Sequence, residues 1–253
     1  MKLISLNIWA GKEFDNLIQF ISSQAEDTDM FCFQEVFDTP TGIENIDEYY
    51  RANLFDELAK SLPNHMGYFA PAQEGHGFNG PVDFPIAWGL AMFIKKSIEI
   101  KDIGEIFIKG FKNSKGIDNT TIPRNLQYAI VLDNEIEYNI THFHGLWNGK
   151  GKTDTDERIE QSKKIKEFLK DKKRIVLCGD FNLLPDTESL KILEDGLINL
   201  IKLKDIKSTR SKLYEKPDKF ADYTLISKDI NIDNFKVPEV EVSDHLPMIL
   251  NFS

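Results

Sequence analysis

Short apolar runs recur along the whole chain, and helical segments separate only some of them. The run at 2–8 is followed by apolar residues at helical spacing over 13–25, whereas the runs at 126–132 and 136–143 are separated by a short turn at Asp133-Asn134. The first arrangement is typical of parallel strands joined by a helical crossover, and the second of an antiparallel hairpin. A chain that contains both predicts mixed sheets.

The same periodicities predict the remaining elements. We expect further strands at 30–34, 66–70, 88–94, 98–108, 174–178, 222–228 and 246–252. We expect further helices at 54–62, 155–171 and 187–195. Four stretches remain as long loops, which in compact domains are usually functional or mobile: 72–86, 110–123, 144–154 and 205–221. Since none of these stretches resembles an interdomain linker, we expect one domain over residues 1–253.

Composition narrows the class of protein. A chain of 253 residues that is 41% hydrophobic can bury a sizeable core, and its net charge of -10 argues against a wide basic face for a long nucleic acid. The sequence contains no recognisable secretory signal and no run of the ~18 apolar residues that a membrane helix requires. Cys32 and Cys178 lie inside strand-like runs, where a free thiol behaves as a small hydrophobic group. We expect a cytoplasmic protein without a membrane span or an obligate protein partner.

Polar residues stand at the ends of several apolar runs. The run Ile175–Cys178 stops at Gly179, and Asp180 and Asn182 follow two residues apart, so both side chains point to the same side of the backbone. Other runs adjoin Asn7, Glu35, His142, Asp222, Asp244 and His245. Any one of them is simply explained as a turn former or a strand-end cap. Their number predicts an active site at a sheet edge.

Several carboxylates in one pocket repel each other unless a cation compensates them. Oxygen ligands, with few thiols or clustered imidazoles, favour Mg²⁺ or Mn²⁺ over zinc. General acid–base catalysis contributes about 10²- to 10⁴-fold, which is too little for phosphoester hydrolysis without charge stabilisation by a metal and fixed donors. The set of residues therefore indicates metal-assisted phosphoryl transfer.

Six short motifs occur in an order that resembles the endonuclease/exonuclease/phosphatase superfamily. They span nearly the whole chain: Leu6-Asn7-Ile8-Trp9, Gln34-Glu35-Val36, Thr141-His142, Gly179-Asp180-Phe181-Asn182, Asp222-Tyr223 and Ser243-Asp244-His245. The resemblance implies the DNase I-like α/β fold, a four-layer sandwich of two mixed β-sheets flanked by helices. It also implies Mg²⁺-assisted hydrolysis of a phosphoester at one end of the sandwich.

The resemblance also implies metal and water roles. Glu35 would be the principal metal ligand, Asn7 would help to hold metal or phosphate, and Asp244 would be a further ligand. Asp180 would orient or deprotonate the attacking water, and Asn182 would donate to a phosphate oxygen.

Histidine roles follow from the same resemblance. His245 would contact the phosphate or act as the base, with Asp222 orienting its ring. His142 would stabilise the phosphorane or protonate the leaving oxygen. Trp9 stands where apurinic endonucleases have an aspartate ligand, which argues against a DNA-repair role and assigns Trp9 to the core or the pocket wall.

Three further residues are candidates for substrate binding. Arg124 precedes a strand, His144 follows the His142 strand, and Lys152 lies in the next loop. The expected substrate is a phosphoester, most often a phosphodiester, such as a short or single-stranded nucleic acid, a phosphoinositide or a phospholipid headgroup. The alternatives are a non-catalytic module that binds a phosphorylated ligand and a structural cation site.

Overall fold

The protein is described by a computed structural model that covers residues 1–114, 122–149 and 151–253. The first six-stranded sheet has the order β13 (Ile232–Lys236), β14 (Met248–Phe252), β1 (Lys2–Asn7), β2 (Met30–Asp38), β6 (Ala87–Lys95), β3 (His65–Glu74). The second has the order β11 (Leu197–Asn199), β12 (Asp222–Ser227), β10 (Ile175–Asp180), β9 (Ile136–His144), β8 (Arg124–Asp133), β7 (Glu99–Lys109). A small hairpin pairs β4 (His76–Gly77) with β5 (Gly80–Pro81). The helices are α1 (Phe14–Gln24), α2 (Leu54–Ser61), α3 (Asp156–Leu169), α4 (Glu188–Glu194) and α5 (Leu200–Leu203).

Each large sheet combines parallel and antiparallel pairing. Strand β1 runs parallel to β2, with α1 between them along the chain, and β9 runs parallel to β10, with α3 between them. The other paired neighbours in both sheets are antiparallel. The prediction of mixed sheets is confirmed.

The two sheets pack face to face and helices cover their outer faces. Cys32 from β2 and Cys178 from β10 belong to one apolar cluster that fills the space between the sheets. On the first sheet, Leu17 of α1 and Leu58 of α2 pack on Phe31 in a second cluster. The result is the expected four-layer α/β sandwich. Of the helices in the described ranges, none combines the length and apolar content that crossing a bilayer requires.

Some element boundaries differ from the sequence prediction. Strand β2 continues beyond Glu35 to Asp38, and β3 extends to Glu74, so the predicted loop 72–86 begins inside a strand and then forms the β4–β5 hairpin. The short strands β11 and β13 were not predicted, because three residues and a polar pentapeptide are too short or too irregular to establish a period.

The structure describes the predicted loops only in part. The hairpin turn between β8 and β9 lies at Asn134 and Glu135, both with positive φ (49° and 68°), one residue later than expected. Residues 115–121 of the predicted loop 110–123, and Lys150 of the loop 144–154, lie outside the described residues.

Candidate active site

Four strands bring polar side chains together at one end of the sandwich. In the second sheet, Asp180 and His144 are paired residues at the ends of β10 and β9. Asn7 ends β1 in the first sheet, and its Nδ2 donates to Glu35 Oε1 at 3.0 Å and to Asp180 Oδ2 at 3.1 Å. His144 Nε2 lies 3.8 Å from Glu35 Oε1 and 3.5 Å from Asp180 Oδ2. The predicted carboxylates therefore meet across the two sheets.

Asn7 lies beneath this meeting point. Its side chain is buried, and its amide oxygen accepts a hydrogen bond from the backbone N–H of Trp9 at 3.0 Å. Because both ends of the amide have partners inside the protein, Asn7 holds Glu35 and Asp180 in place. It does not itself line the pocket.

Glu35 owes its position to an irregularity in β2. The pairing of β2 with β6 shifts register between Phe33 and Val36, and Glu35 has a φ of 61°, which is uncommon for a residue other than glycine. Burial raises the pKa of Glu35 to about 8, and the neighbouring carboxylates of Asp244 and Asp180 add to the increase. The bulge thus turns a carboxylate into an environment that disfavours its charge.

Asn182 is held in a tight turn directly after β10. Its backbone N–H donates to Asp180 Oδ1 at 2.9 Å, and its φ is 53°. Its side-chain Nδ2 donates to the Gly145 carbonyl at 3.3 Å. This turn fixes the Asp180 carboxylate and presents the Asn182 amide to the same pocket.

His245 and Asp222 form a buried pair beside Asp180. His245 Nδ1 lies 2.8 and 2.9 Å from the two oxygens of Asp222, and its Nε2 lies 3.6 Å from Asp180 Oδ2. Burial lowers the pKa of His245 to about 4, with a further contribution from Arg210, and burial raises the pKa of Asp222 to about 7. The imidazole is therefore neutral at pH 7, with Nδ1 bonded to Asp222 and Nε2 facing the pocket.

Arg210 belongs to the site although no sequence pattern indicated it. Its Nη1 donates to Asp244 Oδ2 at 2.9 Å and contacts His245 Nε2, and its guanidinium stacks 4.1 Å from the Tyr214 ring centroid. It lies in the predicted loop 205–221, where no apolar run ends. An isolated bridge between Arg210 and His245 brings this loop to the site, and such long-range pairing has no local signal.

Arg124 is a buried cation on another wall. Its guanidinium carbon lies 4.9 Å from the Trp88 ring centroid, and within the described ranges its Nε and Nη1 have no hydrogen-bond partner. Burial lowers the pKa of Arg124 to about 10, while Glu35 and Asp180 oppose that decrease, so the side chain stays charged at pH 7. Unpartnered N–H groups on two nitrogens of a buried cation suit an anionic ligand.

The structure separates the two histidines of β9. Side chains alternate across a strand, so His142 and His144 face the same side, but only His144 lies at the end of the strand. His142 is fully buried, with Nδ1 3.1 Å from Gln34 Nε2 and Nε2 2.8 Å from Gln127 Oε1. Hence His142, the expected phosphate-contacting histidine, packs behind the pocket, whereas His144 lines it.

Lys152 connects two of the predicted loops. Its side chain is 1% exposed, and its Nζ donates to Tyr214 Oη at 2.8 Å and to Asp218 Oδ2 at 3.1 Å. The 144–154 and 205–221 segments are thereby joined at the pocket wall.

These groups surround a pocket of about 370 Å³. Within the described ranges, its polar lining consists of three acids, two histidines, one amide and four cations. In that order they are Glu35, Asp180, Asp244, His144, His245, Asn182, Arg124, Lys152, Arg210 and Lys216. Its apolar lining is mostly aromatic: Trp9, Tyr50, Phe78, Trp88, Trp147 and Tyr214. The predicted position of Trp9 in a pocket wall agrees with this arrangement.

The acidic groups fit a divalent cation. Ligand atoms of Asp180, Asp222 and His245 lie within 4.8 Å of one another, close enough to hold one. Glu35 and Asp244 line the same pocket, and burial, with smaller contributions from Asp244 and Asp180, raises the pKa of Glu35. Carboxylate oxygens of this kind suit a hard cation such as Mg²⁺.

A sequence model of the Endonuclease/Exonuclease/phosphatase family matches residues 4–245. No curated protein matches the chain.

Solved structures share the fold at low sequence identity. A family protein from Bacteroides thetaiotaomicron superposes with a TM-score of 0.73 and 16% identity over 100% of this chain and 97% of its own. Mannosyl-6-phosphatase Bt3783 from Bacteroides thetaiotaomicron VPI-5482 superposes with a TM-score of 0.70 and 17% identity, over 100% of this chain and 99% of its own. The human Nocturnin catalytic domain with bound sulfate superposes with a TM-score of 0.65 and 19% identity, over 100% of this chain and 93% of its own.

Proposed function

Since the chain belongs to the endonuclease/exonuclease/phosphatase family, whose members are hydrolases acting on phosphoester bonds, we propose that it hydrolyses a phosphoester with the assistance of Mg²⁺ or Mn²⁺. One observation carries the proposal. Asp180 lies within 4 Å of an amide and two imidazole groups, from Asn7, His144 and His245, in a pocket that also contains a buried Arg124. This grouping supports the proposal, because a base, phosphate-binding donors and a cation site can be assigned to neighbouring side chains.

Hydrolysis adds water across the ester bond. The water oxygen forms the new bond to phosphorus, the bond from phosphorus to the alcohol oxygen breaks, and the alcohol leaves with a proton. We assign Asp180 to the attacking water. Its Oδ1 is held by the backbone N–H of Asn182 and its Oδ2 by Asn7, so the carboxylate is fixed before the substrate binds.

His245 is assigned to the same water or to a phosphate oxygen. Asp222 fixes the ring through Nδ1, and Nε2 contacts Arg210 Nη1 and lies 3.6 Å from Asp180 Oδ2. Arg210 anchors Asp244 on the other side of this imidazole. The arrangement of carboxylate, imidazole and second carboxylate suits proton transfer at neutral pH, where the imidazole is uncharged.

The phosphate oxygens are assigned to donors on the other walls. Asn182 Nδ2, the His144 ring and the Arg124 guanidinium line the pocket around Asp180. Preorganised donors of this kind stabilise charge that develops in the transition state, and removing one costs roughly 10²- to 10³-fold in kcat. We assign to His144 the role that the resemblance implied for His142.

Glu35 and Asp244 are the proposed principal ligands of the metal, with Asp180 nearby. A divalent cation held there would polarise the phosphoryl group and offset the carboxylates. Asn7 supports this group from below.

The direct test is hydrolysis of para-nitrophenyl phosphate and bis(para-nitrophenyl) phosphate with Mg²⁺, with Mn²⁺ and with chelator. We expect activity that chelation abolishes and that Asp180→Asn lowers by about 10³-fold or more, as for other catalytic groups. Asp171→Asn, an exposed change after α3, is the matched control. Activity that survives both chelation and Asp180→Asn would refute the proposal.

The histidine assignment has its own matched pair. His144→Gln should lower kcat by about 10²-fold, whereas His142→Gln, which alters a buried ring behind the pocket, should lower it by less than about tenfold. Equal losses, with both variants folded, would contradict the assignment. Tight phosphate binding without turnover of any ester would favour the alternative of a non-catalytic binding module.

A further inference from the structure

Beside the reacting centre, the pocket wall contains one buried cation, Arg124, that has no anionic partner within the described ranges. Lys152 is paired with Asp218 and Arg210 with Asp244, whereas Arg124 has neither an ion pair nor a partner for Nε and Nη1 within the described ranges. Arg124 is 3% exposed, so water does not satisfy these groups easily. A buried guanidinium with unpartnered N–H groups favours an anion as its ligand.

The charge of Arg124 favours a terminal phosphate over a diester. A phosphodiester has two non-bridging oxygens and one negative charge, whereas a terminal phosphate has three such oxygens and up to two charges. Arg124, His144 and Asn182 come from three different strands or turns, and they face the pocket from separate segments. The second charge of a terminal phosphate balances the Arg124 guanidinium, which has no ion pair within the described ranges.

The size of the pocket points in the same direction. About 370 Å³ lies near the lower end of the range for small-molecule sites. A diester needs space for an organic group on each side of phosphorus. Beyond the polar groups, Tyr50 and Phe78 form part of the wall and pack edge to face on each other, with ring centroids 4.7 Å apart. An aromatic surface of this size suits one compact organic group.

We infer that the substrate is a phosphomonoester of a compact alcohol, in which Arg124 binds the terminal phosphate and the organic group rests against Tyr50 and Phe78. This inference rests on the proposed function and narrows it. It replaces the phosphodiester that the sequence favoured.

The test compares matched esters on one enzyme. With Mg²⁺, kcat/KM for para-nitrophenyl phosphate, and for a hexose phosphate measured by phosphate release, should exceed that for bis(para-nitrophenyl) phosphate by at least about tenfold, the value of one extra charged hydrogen bond. Equal or faster cleavage of the diester would overturn this inference and leave the proposed function intact. Failure to cleave either class would overturn the proposed function itself.

Variants at Arg124 identify the group responsible. Arg124→Gln should lower kcat/KM for the monoester at least about tenfold more than for the diester. Arg124→Lys keeps the charge but loses the planar guanidinium, so its kcat/KM for the monoester should lie between those of the wild type and Arg124→Gln. Lys101→Gln, an exposed change on β7, is the charge-matched control and should alter neither. Thermal melts establish that each variant is folded. An equal loss on both esters would refute the role of Arg124 in selecting the terminal phosphate.

Discussion

Glu35 illustrates how the site is poised at the scale of one residue. Its left-handed backbone and its burial both cost free energy in the free protein. A carboxylate whose pKa is raised is destabilising at pH values above its ordinary value, because the folded environment disfavours the charged form. We propose that metal binding recovers this cost.

Replacement of Glu35 should therefore separate stability from activity. At pH 8 without metal, Glu35→Gln should melt at the same temperature as the wild type or higher, since the amide has the same shape and no charge. Mg²⁺ should no longer raise the melting temperature of this variant. Its hydrolytic activity should be lower than that of the wild type by at least about 10²-fold. Differential scanning fluorimetry with and without Mg²⁺ measures both melting effects, with the exposed Glu99→Gln as control. A lower metal-free melting temperature and an intact Mg²⁺ shift would contradict this account.

His142 gives a pH-dependent prediction. Burial lowers the pKa of His142 to about 3, so below its ordinary pKa of 6.5 the unfolded chain binds a proton that the folded protein does not. Folding stability from this residue is present above pH 6.5 and is lost as the pH falls. Relative to His142→Gln, the wild type should lose about 1.4 kcal/mol more per pH unit between pH 6 and pH 4. Urea unfolding at several pH values measures the difference, and parallel pH profiles would contradict it.

Residue identities predicted part of the site. Asp180, Asn182, Asp222 and His245 follow or precede apolar runs, and such positions mark strand ends in any sheet. The same rule could not rank two histidines that share one face of a strand. Which of them reaches the pocket depends on where β9 ends relative to β10, and this register is set by pairing across the sheet.

At the scale of elements, the two long segments 144–154 and 205–221 act together. Lys152 joins them through Tyr214 and Asp218, and Arg210 then links Tyr214 to Asp244. The length of these loops indicated that they were functional or mobile, but the sequence could not predict their contact. The periodicity that predicts strands carries no information on how irregular segments meet.

Lys152→Met should loosen this connection. The variant keeps the apolar stem and leaves Asp218 and Tyr214 without their cation, so we expect faster amide hydrogen exchange in 205–221, with β10 unchanged. Activity should fall by about tenfold through the displacement of Arg210. Lys163→Met, which removes an exposed ion pair within α3, is the control. Unchanged exchange in 205–221 would show that Lys152 does not position this segment.

At the scale of the molecule, the two sheets share one apolar core. The cluster between them takes side chains from both sheets and also includes Ile165 of α3. A core shared in this way couples the halves, and this supports the prediction that residues 1–253 form one domain. Local periodicity predicted the mixed sheets, whereas the layers were implied by the family resemblance.

Calorimetry tests the coupling. We expect one cooperative unfolding transition. Leu126→Ala truncates a buried side chain in the shared core and should lower the free energy of unfolding of the whole protein by roughly 2–5 kcal/mol. Two resolved transitions, with only one affected by the substitution, would mean that the halves unfold separately.

The distribution of tryptophan adds a practical consequence. The chain has three tryptophans, Trp9, Trp88 and Trp147, and all three line the pocket. Trp88 lies against Arg124, and Lys152 Nζ lies 5.9 Å from the Trp147 ring. The tryptophan emission of this protein, excited selectively at long wavelength, therefore originates at the pocket. The unlabelled molecule is its own optical sensor, and titrations of ions or phosphorylated compounds can be followed by intrinsic fluorescence before any substrate has been identified.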